Sequence, residues 1–158
     1  MLDRVMIDGA SHQPIKDYRK VIVTVYVASF LKNTKFVTNM MTKMMQADSV
    51  SEQDVQLFIE DMKHTARKSF RRAMSQANLL RLNLNLVNPV FLVSGGKESP
   101  SMHESHQLLA SQNSQSDCAY YPDKGHAWLF SDMDTQIQLV QHFLQGAPFP
   151  EKLCHFKP

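Results

Sequence analysis

The chain opens on a short apolar run. Leu2 to Ile7 ends in Val5, Met6 and Ile7 and is closed by Asp8-Gly9, the pattern of a buried strand stopped by a turn. From about Ile15 to Leu82 the pattern turns helical. Asp17 to Leu31 is apolar at many positions and holds neither Gly nor Pro. Asn33 or Thr34 can start a second helix, in which Phe36, Val37, Met40, Met41, Met44 and Met45 recur at spacings of three and four. Ser49-Val50-Ser51-Glu52 fits a capping box, the serine oxygen accepting an amide proton three residues on while Glu52 reaches back; Ser51 with Asp54 offers a later start. Val55, Phe58, Ile59 and Met62 then share a face. A further helix, Ala66 to Leu79, sets Phe70, Ala73, Met74 and Ala77 on one side and Arg67, Lys68, Arg71 and Arg72 on the other.

The second half alternates. Leu80, Leu82, Leu84 and Leu86 have the period of a strand, although an irregular approach to Pro89 fits them equally. Pro89 to Ser94 is a continuous apolar run closed by Gly95-Gly96, as expected of a strand buried on both faces. Ser99-Pro100 marks a helix start, with Met102, Leu108 and Leu109 as the buried face. After a turn at Asn113 to Asp117, Cys118 to Tyr121 forms a short strand. Ser131 or Asp132 caps a last helix with Met133, Ile137, Val140 and Leu144 inward, ended by Gly146 and Pro148. Strand, helix, strand, helix predicts parallel strands with helices on their faces. The expectation is one α/β domain over 1–158, a short parallel sheet with flanking helices, interrupted at about 15–82 by a helical insert.

Composition narrows the classes. A chain of 158 residues, 43% hydrophobic and 20% charged, has the size and balance of one globular domain. A net charge of +2 is too small to imply an acidic partner. Lys63, Arg67, Lys68, Arg71 and Arg72 read as a solvated helix face, since only Phe70 interleaves with them, so no nucleic-acid partner is expected. Val21 to Leu31 is broken by Thr24, Tyr26 and Ser29 and falls short of the roughly 20 apolar residues a membrane span needs. No leader pattern precedes it, so a cytoplasmic protein is the default; Cys118 and Cys154 could form one bridge at most, and a reducing compartment is the expectation. A chain that begins directly in a core strand suggests an upstream part that is missing.

Candidate chemistry lies just past two of the expected parallel strands, at the edge where open α/β sheets place their sites. Glu98 follows Val-Ser-Gly-Gly-Lys, and His126 follows Pro-Asp-Lys-Gly. One strand–helix–strand crossover separates them, so their loops are neighbours. A carboxylate that accepts from one imidazole nitrogen leaves the other free to take a proton from a nucleophile. His64, His103, His106 and His142 fall on helices without a matching carboxylate loop and read as surface residues, while His12 and His155 fall in loops near the ends. No cofactor or metal is called for.

Pro-Val-Phe-Leu-Val-Ser-Gly-Gly-Lys-Glu, a helix, Tyr-Tyr-Pro-Asp-Lys-Gly-His-Ala-Trp and a closing helix together resemble the end of an α/β-hydrolase. The resemblance implies that Glu98 is the triad acid after strand seven and His126 the triad base after strand eight. It also implies that Leu2 to Gly9 is strand six, after which many members insert a helical cap. The methionines of the second helix (Met40, Met41, Met44, Met45) read first as ordinary helix packing, a cap lining or covering an apolar pocket being the alternative. The family's order is Ser, acid, His, with the serine on a Gly-x-Ser-x-Gly elbow after strand five. No such elbow occurs here. Gly9-Ala10-Ser11-His12-Gln13 lacks the last Gly and follows the wrong strand, and Ser94 lies inside a strand run. The resemblance thus implies a hydrolase of small ester or acyl substrates when intact, inactive alone, with an exposed strand edge open to self-association. A non-catalytic binding or interaction protein that reuses the half-fold is the alternative.

Overall fold

The computed structural model describes residues 5–13, 17–81 and 87–156. Its centre is a sheet of four strands in the order β1-β2-β3-β4: β1 (Val5–Asp8), β2 (Val90–Gly95), β3 (Asp117–Tyr121) and β4 (Cys154–His155). The first three run parallel, with Asp8 opposite Val93 and Gly95 opposite Tyr121, and β4 joins β3 antiparallel. The continuous apolar run therefore forms an inner strand, β2. Val90, Leu92, Val93 and Ser94 of β2 are fully buried. Strand alternation divides them between two cores. Val90 and Leu92 meet Leu109 of α5 (Pro100–Ala110) and Cys118, while Val93 meets Ala119, Trp128, Phe149, Leu153 and Leu139 of α7 (Met133–Gln145). The sequence pattern stops at Pro148 and misses β4, a strand of only two residues. Between β3 and α7 lies a single turn of helix, α6 (Trp128–Ser131), whose Trp128 enters the second core. Both cysteines are free thiols, and burial pushes Cys118 up to about 11.

Four helices separate β1 from β2: α1 (Tyr18–Leu31), α2 (Lys35–Ala47), α3 (Glu52–His64) and α4 (Arg67–Leu79). Thr34 starts α2 by accepting from the Val37 amide. Of the two capping boxes, Ser51 with Asp54 is the one formed, the serine oxygen accepting from the Asp54 amide at 3.1 Å while its hydroxyl reaches the Asp54 carboxylate at 2.6 Å. Ser49 is set aside by its positive φ of 65° between the two helices. Met45, Val50, Val55 and Ile59 form the apolar contact of α2 with α3. Lys32, between α1 and α2, is buried and donates to the carbonyls of Met62 and Lys63 at 2.6 and 2.8 Å. Those carbonyls end α3 without intrahelical partners, and the ammonium supplies one.

Three expected faces are rotated. On α4 the basic side is not simply solvated: Arg71 stacks on Tyr26 of α1 with its guanidinium carbon 4.5 Å from the ring centroid, and Arg67 on Phe30 at 5.3 Å, while Met74 is exposed. On α5 the buried positions are Ser105, His106 and Leu109; Leu108 falls outside that stripe and is exposed. On α7 the buried stripe is Thr135 and Leu139, and Met133, Ile137 and Leu144 face outward. Asp132 sets that rotation. It caps α7 through the amide and hydroxyl of Thr135 and accepts from Lys152 Nζ at 2.8 Å and Tyr121 Oη at 2.6 Å, which, Lys152 foremost, hold its carboxyl well below the usual range. The strand reading at Leu80 to Leu86 falls mainly on residues 82–86, outside the described residues.

The α7 rotation predicts a contrast measurable by urea unfolding. Leu139→Ala should cost about 2–4 kcal/mol, whereas Leu144→Ala should stay within about 0.5 kcal/mol. Equal losses at the two sites would mean that α7 sits on the sheet by its other stripe.

Candidate active site

The parallel register brings the C-terminal ends of β1, β2 and β3 to one rim, and two loops interlock there. After β2 the Gly96 amide donates to Tyr121 O at 2.8 Å and the Lys97 amide to Lys124 O at 2.8 Å. So close an approach requires Gly95, since a Cβ at that position would lie 2.2 Å from the Gly125 carbonyl oxygen. The tight turn back from Gly95 to the Glu98 amide, 3.1 Å, then aims Glu98 at the neighbouring loop.

Glu98 and His126 meet. His126 Nδ1 lies 2.7 Å from Glu98 Oε1, with the carboxylate side chain 10% exposed and the imidazole 71% exposed. An ionised carboxylate oxygen only accepts, so Nδ1 carries the proton and Nε2 presents a lone pair. The hydrogen bond to Glu98 raises the histidine's pKa above its ordinary value against the opposing effect of burial, and the charges of Glu98, Asp8 and Asp48 add to the rise. Gly9, at the turn after β1, is the floor beneath the pair. Its φ is +56°, and a Cβ would stand 2.9 Å from His126 Cε1 and 3.6 Å from Glu98 Oε1.

Several residues that are not candidates from the linear pattern stand at this rim as well. Asp8, the last residue of β1, is pushed up to about 6, chiefly by burial. Its Oδ2 and the Trp128 indole nitrogen are both buried; the indole N–H opposes the rise, although the two atoms do not meet in hydrogen-bond geometry. Three histidines brace the loops. His103 and His106, expected on the surface, instead face inward from α5: His103 Nε2 donates to Gly95 O at 3.0 Å, and the fully buried His106 donates from Nε2 to Ala10 O at 3.1 Å. The reason is the α5 rotation, which places His106 on the stripe of Ser105 and Leu109. His12 is buried too, its Nδ1 2.7 Å from Ser105 Oγ. Burial lowers the pKa of His12 and His106. The three-residue spacing of His103 and His106, directly after Glu98, is the signal that points to them. His64 is exposed, as expected.

Neither serine weighed from the sequence stands out as a nucleophile. Ser11 directs its hydroxyl to Gln13 O at 2.8 Å, and Ser94 is fully buried in β2. Among the described residues no group of three or more His, Cys, Asp or Glu is arranged to hold a metal ion, and no helix is long and apolar enough to cross a membrane.

No family model matches the sequence, and no curated protein matches it. Solved structures do. MenH from S. aureus superposes with a TM-score of 0.68 at 12% identity over 92% of this chain and 59% of its own. MGS-M2, an alpha/beta hydrolase enzyme from a Medee basin deep-sea metagenome library, gives 0.67 at 13% over 96% and 59%. Bromoperoxidase from Bacillus anthracis gives 0.66 at 12% over 90% and 58%. The chain has an α/β-hydrolase fold in part: three parallel strands and one short antiparallel strand with flanking helices, spanning under two thirds of the length of the structures it matches.

The geometry predicts an imidazole resonance of His126 that titrates above 6.5, and a lower midpoint in Glu98→Gln, followed by NMR. Because the folded pKa is raised, the pair's contribution to stability is present below pH 6.5 and is lost as pH rises through the folded value. His106 works in the opposite sense. Its neutral form is favoured in the fold, so stability falls as pH drops from about 6.5 toward its lowered folded pKa. A His126 midpoint indifferent to Glu98→Gln would dissolve the pair.

Proposed function

We propose that Glu98 and His126 are the acid and base of an acyl-transfer site acting on small ester or related acyl substrates, and that the nucleophile comes from polypeptide outside these 158 residues. The observation that carries this reading is the 2.7 Å contact of a nearly buried carboxylate with an exposed imidazole at the strand-end rim. Glu98 fixes the Nδ1–H tautomer. Nε2 then takes the proton of an attacking hydroxyl, and the carboxylate stabilises the imidazolium that forms. The same proton is returned to the leaving group when the acyl bond breaks.

Two further parts belong to this reading. The helices α1 to α4 act as a cap over the rim, and Met40 and Met44, both exposed on α2, stand where a substrate or a further segment would cover them. The outer edge of β1, unpaired among the described residues, receives the strand that completes the site, or a second copy of this chain in its absence. Without a nucleophile and oxyanion donors, each donor being worth about 10² to 10³ in rate, the chain alone is inactive.

The test is hydrolysis of a short-chain p-nitrophenyl ester. The chain alone should show no saturable turnover. Expressed with in-frame upstream coding sequence bearing a Gly-x-Ser-x-Gly elbow, it should turn over, and His126→Ala should lower kcat by about 10⁴ or more. Saturable hydrolysis that survives His126→Ala would refute the assignment, as would the absence of any such elbow upstream.

A further inference from the structure

Asp48 lies far from the rim in sequence, at the turn between α2 and α3, yet it is buried against the His126 loop. Its two carboxylate oxygens each accept one backbone amide, and the two amides flank His126. Gly125 N–H donates to Oδ1 at 2.6 Å and Ala127 N–H to Oδ2 at 3.2 Å. The Asp48 carbonyl accepts from Lys124 Nζ at 3.2 Å. The same loop is held by packing, because Ala127 sits against the cluster of Met45, Val50, Val55 and Ile59.

We infer that Asp48 is a positioning residue by which the helical insert sets the orientation of the His126 imidazole. This rests on the reading of His126 as the base. The chemistry calls for a carboxylate. Two amides two positions apart both point inward, and a group with two acceptor oxygens and no donor satisfies both. Hydrogen bonds to an ionised acceptor are also about twice as strong as neutral ones. With both neighbours held from the insert and Nδ1 held by Glu98, the imidazole keeps little freedom although most of its surface faces solvent. A displacement of the α2–α3 turn would therefore be felt at the base directly, through two hydrogen bonds and no intermediate side chain.

The test uses the whole chain and NMR. Asp48→Asn keeps the volume but offers one acceptor oxygen and places donors against the second amide. Expected is a fall in the His126 titration midpoint, smaller than that of Glu98→Gln, with amide exchange at Gly125 or Ala127 faster by about tenfold or more while β2 amides keep their rates. An unchanged His126 midpoint, or faster exchange spread evenly over the molecule, would overturn the assignment and leave Asp48 a structural contact only. Should Asp48→Asn fail to fold, the unmodified chain still decides. The Gly125 and Ala127 amide proton shifts must move together with protonation of the Asp48 carboxylate, and shifts blind to it would refute the clamp. Glu98→Gln separates the two readings, because a His126 midpoint it does not move counts against the acid–base pair and not against Asp48.

Discussion

Parallel register across β1, β2 and β3 is the constraint from which the rim follows. Parallel strands linked by crossovers deliver every loop that leaves a C-terminal end to the same edge of the sheet. Asp8, Glu98 and His126 come from three separate strand ends and meet because those ends are aligned, with Asp8 opposite Val93 and Gly95 opposite Tyr121. The register in turn depends on β2, whose side chains are buried on both faces, so that a slip by one residue would exchange its two cores. Gly95 adds the last condition. It lets two backbones touch where any side chain would hold them apart.

Burial is graded across the rim in a way that separates roles. The Glu98 side chain is nearly enclosed and hydrogen-bonded to His126, Asp8 is pushed up to about 6 chiefly by burial, and His126 stands open on the solvent side. Behind them, burial lowers the pKa of His12 and His106; His106 donates to the Ala10 carbonyl, and the His12 ring is held against the Ser105 hydroxyl. The charged partner of His126 is thereby chosen: of the carboxylates around it, Glu98 touches the ring.

Much of this was legible in the linear pattern. The apolar run before Gly95-Gly96, the Ser99-Pro100 helix start and the Gly-His turn announce strand, helix and loop through local chemistry, and local chemistry is what sequence states directly. The pairing of Glu98 with His126 followed because a crossover makes adjacent loops neighbours. Helix rotation was not legible. In α7 two stripes compete, and the anchoring of Asp132 to Tyr121 and Lys152, residues distant in sequence, decides between them. On α4 the aromatic rings of α1 recruit arginines that a hydropathy pattern assigns to solvent. Asp48 is the extreme case. It occupies an unremarkable helix end, and its importance comes entirely from amides more than 70 positions along the chain.

The two-residue strand β4 has a consequence for how the sheet is able to grow. It lies antiparallel on β3, with only Ala119 opposite His155 and Tyr120 opposite Cys154, so the flank beyond it offers a new strand almost no ladder. Lengthening is left to the opposite flank. A parallel strand added beyond β1 would bring its C-terminal end to the same rim as Gly9. The molecule thus has a polarity, one margin closed by the two residues of β4 and the other, among the described residues, left with the unpaired edge of β1.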